Sequence, residues 1–302
     1  MQCLEKRPMI MIVIGVLGIS LSSIFVKYSA APSGVTAAWR LIWTVALMTP
    51  LTLGRGEIRR EIRGMGRKNL LLSGLSGLCL GLHFVLWFES LSHTSVASST
   101  TIVCTEVIWV ALGYCLFMGG CLSLRAMAAI GITLAGSVLV ALSDAEAGQA
   151  HLYGDVLALL SAVAVGVYTL LGRVVRRQVS TAGYTYPVYV ICAGALVLLS
   201  VFQGQGLGDY GMSPVIVGLL LAVFSTILGH SIFSWCLKFF SPAFVSASKL
   251  MEPVIAGAIA ALLFGQIPHW LQGLGAAMIL GGVLYYSRLE RRAPCQNLSN
   301  ER

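Results

Sequence analysis

Ten apolar runs dominate the chain, at residues 9–28, 35–53, 69–90, 95–118, 125–143, 154–173, 184–202, 214–237, 243–265 and 269–287. An α-helix needs roughly 20 apolar residues to cross the hydrocarbon core of a bilayer, and each run is close to that length. None alternates polar and apolar positions, and the runs are about twice as long as a barrel strand, so the pattern predicts membrane-spanning helices. The runs are numbered here as spans 1 to 10. Short polar pieces separate them. The longest basic one is GRGEIRREIRGMGRK at 54–68, and 204–213 is glycine-rich. Residues 293–302 lose the hydrophobic character and read as a disordered cytoplasmic tail. The connections leave no room for a soluble catalytic domain.

Composition supports this pattern. Hydrophobic residues make up 57% and charged residues only 11%, with a mean hydropathy of +0.85. A soluble domain carries about 25% charged residues, so this chain could not clothe a water-facing surface. The net charge of +8 sits in short clusters between the spans, which points to membrane topology and away from nucleic acid. Eight cysteines include no C-x-x-C pair and lie mostly within apolar runs, so neither a disulfide framework nor a metal site is expected. Lys6-Arg7 before the first run resembles a signal peptide. That run is longer than a usual signal core, and Pro32 would follow the Ser29-Ala30-Ala31 cleavage site. It is read as a retained span 1.

The charges also give orientation. With the N-terminus inside, 17 of the 20 lysines and arginines fall on the inner side; the exceptions are Lys27, Arg40 and Lys249. The outer connections carry Asp144, Glu146, Asp155 and Asp209. Both termini are therefore expected in the cytoplasm of a cell (inner or plasma) membrane protein.

The two halves repeat. Trp87, Glu106-Val107 and Gly119 correspond to Trp235, Glu252-Pro253 and Gly265, at separations of 148, 146 and 146 residues. Five spans per half is an odd number, so the second half must enter the membrane from the opposite side. The expected fold is an all-α integral membrane protein of ten transmembrane helices in two inverted five-helix repeats, residues 1–143 and 144–292. Inverted repeats are a transporter architecture.

Over nearly its whole length the chain resembles the drug/metabolite transporter superfamily, specifically its EamA type. The resemblance is carried by Ala38-Trp39-Arg40-Leu41 in span 2, by the segment from Ala164 to Arg173 (AVGVYTLLGR) in span 6, and by Leu250-Met251-Glu252-Pro253-Val254 in span 9, followed by Leu263-Phe264-Gly265. It departs from the family pattern at Gly119-Gly120 and Gly265-Gln266, where Gly-Glu is usual, and at Glu106-Val107, where a proline is common. The resemblance implies a ten-helix fold with a central cavity, and an exporter or facilitator of amino acids or other metabolites.

Ionisable groups at membrane depth are costly and are candidates for function by default. Lys249 and Glu252, three apart, share a helix face and could pair. Pro253 cannot bond the Lys249 carbonyl, so a bend is expected there. Glu106 is the repeat counterpart of Glu252 and could meet a substrate or proton, or pair with Arg40. His83 and Trp87, four apart in span 3, form a stripe suited to a planar or cationic solute; the alternative for His83 is a packed imidazole bonded to a hydroxyl. His230 sits in a polar stripe with Thr226 and Ser234, and Tyr168 in span 6 could bond a solute or a backbone group. His83, Trp87, Glu106, Tyr168, His230, Lys249 and Glu252 are the candidate substrate-binding residues. Arg40 and Pro253 are the candidate structural or gating ones. Gly74, Gly77, Gly81, Gly257 and Ala261 read as packing positions, and Trp270, Tyr285 and Tyr286 as interface anchors.

No P-loop, G-x-S-x-G or H-E-x-x-H occurs, so neither ATP-driven transport nor those catalytic chemistries are expected, and no cofactor is implied. The expectation is a secondary transporter of a small metabolite, an amino acid or other amphoteric solute, working by alternating access with optional proton coupling. Its partners would be the solute and the lipid bilayer, as a monomer or homodimer. A multidrug or organic-cation exporter of the same fold is the alternative, ahead of a membrane-embedded enzyme or a receptor.

Overall fold

The computed structural model describes residues 8–94, 96–120, 122–145, 152–252, 254–255, 258–259 and 270–292. Pro253, Gly257, Ala261, Gly265, Gln266 and the tail 293–302 lie outside the described residues.

Every regular element among the described residues is helical. Span 1 is α1 (Pro8–Ser20) and α2 (Ser22–Val26), and span 2 is α3 (Ser33–Leu53). A short helix, α4 (Gly56–Arg63), occupies the basic connection, and α5 (Arg67–His93) is span 3. Span 4 is α6 (Val96–Cys104) and α7 (Glu106–Met118), span 5 is α8 (Leu124–Ala145), span 6 is α9 (Leu152–Arg176), and span 7 is α10 (Thr181–Phe202). Span 8 is α11 (Ser213–Leu220), a π-helical stretch (Leu221–His230) and α12 (Ser231–Cys236). Span 9 begins with α13 (Pro242–Lys249), and α14 (Trp270–Arg292) is span 10. Five of these spans (1, 3, 6, 7 and 8) are long and apolar enough to cross a bilayer by length and composition alone.

The packing obeys an exchange of the two halves. Span 3 lies on span 6, as span 1 lies on span 8; span 2 lies on span 8, as span 7 lies on span 3. Spans 2 and 7, 4 and 9, and 5 and 10 pack on their own counterparts. This is the ten-helix inverted repeat expected from the pattern of apolar runs.

Close approach depends on glycine. A Cβ on Gly18 would come within 2.5 Å of the Phe224 carbonyl oxygen, and one on Gly77 within 2.6 Å of that of Val188. Only a bare Cα lets span 1 reach span 8, and span 3 reach span 7, this closely. Two buried apolar clusters result. One joins Ile12, Val16 and Ile19 to Val107, Phe233, Phe244 and Ile279. The other joins Leu41, Leu80 and Phe84 to Val165, Tyr184, Tyr189 and Leu221. Tyr286 corrects the interface-anchor expectation: it is buried against the Phe244 ring, with centroids 5.5 Å apart, whereas Trp270 and Tyr285 are exposed.

Four spans are interrupted, of which only span 9 was expected to bend. In span 1 the Ser20 hydroxyl bonds the Val16 carbonyl (2.8 Å), a back-bond that bends helices, just before the break at Leu21. In span 8 the Thr226 hydroxyl reaches Leu221 O (3.3 Å) and the Ser231 hydroxyl reaches Thr226 O (3.2 Å), each five residues back, matching the widened turns. In span 4 the amide of Thr105 bonds Ile102 O and that of Ile108 bonds Thr105 O, both three residues back. In span 9 Leu250 and Met251 do the same to Ala247 and Ser248. Thr105 and Met251 are repeat counterparts, 146 residues apart (105 and 251). The interruption of span 9 thus starts before Pro253, and span 4 breaks with no proline at all.

Both ends of the bundle are stitched across the halves. At the α4 end, Glu61 accepts from the Ser180 amide (2.6 Å) and hydroxyl, and Asn69 Nδ2 donates to Gln178 Oε1 (2.9 Å). At the opposite end, the indoles of Trp39 and Trp43 donate to Leu207 O and Val215 O, both 3.0 Å. There the Ser213 hydroxyl donates to Tyr28 O (2.7 Å), and that of Thr94 to Asp155 Oδ1 (2.9 Å).

Candidate functional site

Between the two apolar clusters lies a cavity of about 40 Å³. It is lined by Ile19, Ser22, Arg40, His83, Trp87, Val103, Glu106, Val165, His230, Lys249 and Glu252. Three pairs in that set are repeat counterparts: 19 and 165, 103 and 249, and 106 and 252, each 146 apart. The cavity therefore sits on the axis relating the halves. It holds six of the seven residues expected to bind substrate. Tyr168 is set back: its hydroxyl bonds the Ser234 hydroxyl (3.0 Å) behind the His230 ring, rather than the backbone group considered from the sequence.

The charges pair differently from the expectation. Lys249 Nζ donates to Glu106 Oε1 at 2.8 Å across spans 9 and 4, not to Glu252 on its own helix. The same oxygen accepts from the Ser246 hydroxyl (2.8 Å), with Thr169 Oγ1 at 3.5 Å. Lys249 is the last residue of α13, and the loosened turn after it frees the i,i+3 geometry that would have joined it to Glu252. Glu252 is buried, and its Oε1 has no hydrogen-bond partner among the described residues.

Arg40 does not hold Glu106. It is 1% exposed, donates from Nε to Thr226 Oγ1 (2.7 Å), has Nη1 3.4 Å from Ser22 Oγ, and lies 4.0 Å over the Phe84 ring. No carboxylate pairs with it among the described residues. Span 2 thus delivers a cation held by hydroxyls and an aromatic face, on the wall of the cavity. A full buried charge supported in this way keeps much of its desolvation cost unless a further anion approaches.

His83 is bonded to a hydroxyl, as one of its two readings had it, and also lines the cavity. Its Nδ1 lies 2.8 Å from Ser161 Oγ and 3.3 Å from Ser161 O, while the Ser161 hydroxyl bonds the His83 carbonyl at 3.1 Å. The hydroxyl proton is thereby used and a carbonyl can only accept, so Nδ1 carries the ring proton and Nε2 is the acceptor. The imidazole stacks on Trp87 with centroids 5.9 Å apart. Trp87 Nε1 and His230 Nδ1 are buried without partners among the described residues. Buried polar groups in folded proteins are nearly all satisfied, and this cavity gathers three atoms without a partner among the described residues.

The matching family model is that of the EamA-like transporter family, which covers residues 6–142 and again 152–288. The chain belongs to the EamA-like transporter family. Its relatives include an uncharacterized transporter, YxxF, of Bacillus subtilis (strain 168), 21% identical over 280 residues that span 92% of this chain and 87% of that one. Another is an uncharacterized transporter of Archaeoglobus fulgidus, 25% identical over 223 residues, 74% of this chain and 78% of that one. A crystal structure of a protein 17% identical superposes with a TM-score of 0.77 over 95% of this chain and 98% of the other, which supports the fold. This EamA-like chain is accordingly a multi-pass membrane protein of transporter type.

Several residues of the EamA-like site escape a reading by charge alone. Ser246 and Thr169, which complete the bonding of Glu106, and Ser22, beside Arg40, are hydroxyls inside apolar runs, a signal that was available. Phe84, which faces the guanidinium, is indistinguishable from core in the sequence. Arg173, from the family-like motif, is not in the cavity; with Arg176 it donates to carbonyls of Leu237, Phe240, Ser234 and Val179, closing the end of α12. Among the described residues no group of histidines, cysteines and carboxylates could hold a metal ion.

Proposed function

We propose that the protein is a secondary transporter of a small amphoteric solute, with an amino acid the simplest example, working by alternating access between its two halves. One observation carries this reading. Among the described residues, Arg40 is a buried cation without a carboxylate and Glu252 is a buried carboxylate whose Oε1 has no donor; both line the same cavity. A solute bearing an anion and an ammonium would satisfy both at once, with the His83–Trp87 stack against its side chain. Unpaired charges in a dry site are costly, so such a solute gains twice by entering.

Alternating access would break one set of cross-half stitches at a time, at the α4 end or at the opposite end. Positive charge concentrates at the α4 end, so we assign that end and both termini to the cytoplasm of the cell membrane. Carboxylates at membrane depth serve as proton carriers in transporters, and Glu252 is the group we assign to a coupled proton. One chain contains both halves and the whole cavity, so a monomer suffices for transport even where two copies associate.

The test is a thermal-shift panel of amino acids, amines, carboxylates and nucleobases on the purified protein, followed by proteoliposome uptake of the solutes that bind. Zwitterions should stabilise the protein, and Arg40→Gln and Glu252→Gln should each remove the effect. Flux unchanged in both variants would refute the assignment. The aromatic stack beside Glu252 also favours a second reading, an organic-cation exporter; amines lacking a carboxylate would then bind as well to Arg40→Gln as to the native protein.

A further inference from the structure

Glu106 and Glu252 are repeat counterparts lining one cavity, yet a single ammonium serves them. Lys249 bonds Glu106 at 2.8 Å, and its own counterpart is the uncharged Val103. Lys249 closes α13, and the turns at Leu250 and Met251 that follow are already loosened to bonds three residues back. Glu252 stands just beyond them, three residues from Lys249, so closing these turns into regular helix would bring the two side chains together. The lysine stem is flexible and its head makes three donors in any direction. The remaining charged or titratable groups on the cavity wall, Arg40, His83 and His230, belong to other helices and are tied or stacked in place.

Inverted halves that alternate do so by exchanging conformations, so in the opposite-facing state Lys249 would stand to Glu252 as Val103 now stands to Glu106, three residues away in the same half. The contact between Lys249 and Glu106 would then pass to the uncharged Val103 and Glu252, leaving the ammonium to its own half's carboxylate. We infer that Lys249 is a tethered ammonium that changes carboxylate during the cycle, held by Glu106 in the present state and by Glu252 in the opposite-facing one. Breaking of the i,i+4 pattern at the equivalent residues Thr105 and Met251 gives both carboxylates the local freedom this exchange requires. Where Glu252 also receives the solute's ammonium, a consequence that rests on the function proposed above, the arrival of Lys249 expels that ammonium and drives release.

The test compares Glu106→Gln, Glu252→Gln and the double variant in the full chain. If the ammonium can exchange, Glu106→Gln sends Lys249 to Glu252, and each single variant lowers the melting temperature only slightly. The double variant leaves Lys249 no carboxylate, and its melting temperature should fall by more than the two single shifts combined. Additive shifts would overturn the inference. Hydrogen–deuterium exchange in nanodiscs gives an independent measure. Glu106→Gln and Glu252→Gln should change protection in opposite senses at the α4 end (around Ser180) and at the opposite end (around Leu207), and Lys249→Met should abolish the opposition. Shifts of the same sense in both single variants would also overturn it. A solute panel without a hit, combined with opposite exchange patterns, would remove the proposed solute class and leave the lysine exchange standing.

Discussion

Spans 4 and 9 occupy equivalent places in the two halves and break at equivalent residues, yet their carboxylates live differently. Glu106 meets an ammonium and two hydroxyls on one oxygen, and Glu252 keeps an oxygen with no donor among the described residues. The two positions descend from one pattern in the sequence, and what separates them lies outside that pattern. Val103 stands where the second half has Lys249, and Ser246 reaches across from α13 to the first half. Near-symmetry brings both acids to the cavity; the departures from it decide that one is bonded and the other keeps an unpaired oxygen among the described residues.

The most severe way to break this contrast is Lys249→Met. Removing one partner of a buried pair strands the other and costs about 3–5 kcal/mol, so detergent-solubilised Lys249→Met should show the largest loss in chemical or thermal unfolding. Glu252→Gln sharpens the contrast from the other side. It removes no bond seen among the described residues, so stability should change by less than about 1 kcal/mol, whereas a charge-assisted bond to the proposed solute worth about 1.5–3 kcal/mol should be lost. Isothermal titration should read that as roughly 10- to 100-fold weaker binding. The tryptophan counterparts give a milder version. Trp87→Phe deletes an unpaired donor on the cavity wall and should weaken binding by about 0.5–1.5 kcal/mol. Trp235→Phe, at a residue tilted against Phe239 away from the cavity, should leave binding unchanged in the same titration. An effect of similar size belongs to Ser246→Ala, which removes one of the bonds to Glu106 and should lower stability by about 1 kcal/mol, read as a small drop in melting temperature.

Much of the architecture is legible in the chain because lipid imposes a coarse rule: length and hydrophobicity of each run suffice to mark a span. The repeat was readable because Trp87, Glu106 and Gly119 are uncommon enough in apolar helices to align on Trp235, Glu252 and Gly265. Pairing was not readable. Lys249 and Glu252 are neighbours in sequence, and a helix would have joined them, but the turn opens at Leu250. Arg40 and Glu106 have opposite charge and similar depth, yet hydroxyls on spans 1 and 8 claim the guanidinium. Breaks without proline, as at Thr105, arise from hydroxyl back-bonding and tertiary packing, which leave little trace in a single sequence. Tyr168 matched the polar profile of a ligand contact and instead supports the residue in front of it.

The small size of the cavity has its own consequence for measurement. Forty cubic ångströms admit a few waters at most, whereas ligand pockets usually run to several hundred. On the function proposed above, a solute would select or induce a widened form, and the observed dissociation constant would be raised by the scarcity of that form. If only about one molecule in a hundred is widened at rest, an intrinsically micromolar site reads as roughly 0.1 mM. Weak apparent binding would then be the signature of a carrier that keeps its interior shut between passengers, and variants that loosen the stitches at Ser180 or Leu207 should bind more tightly while leaking more.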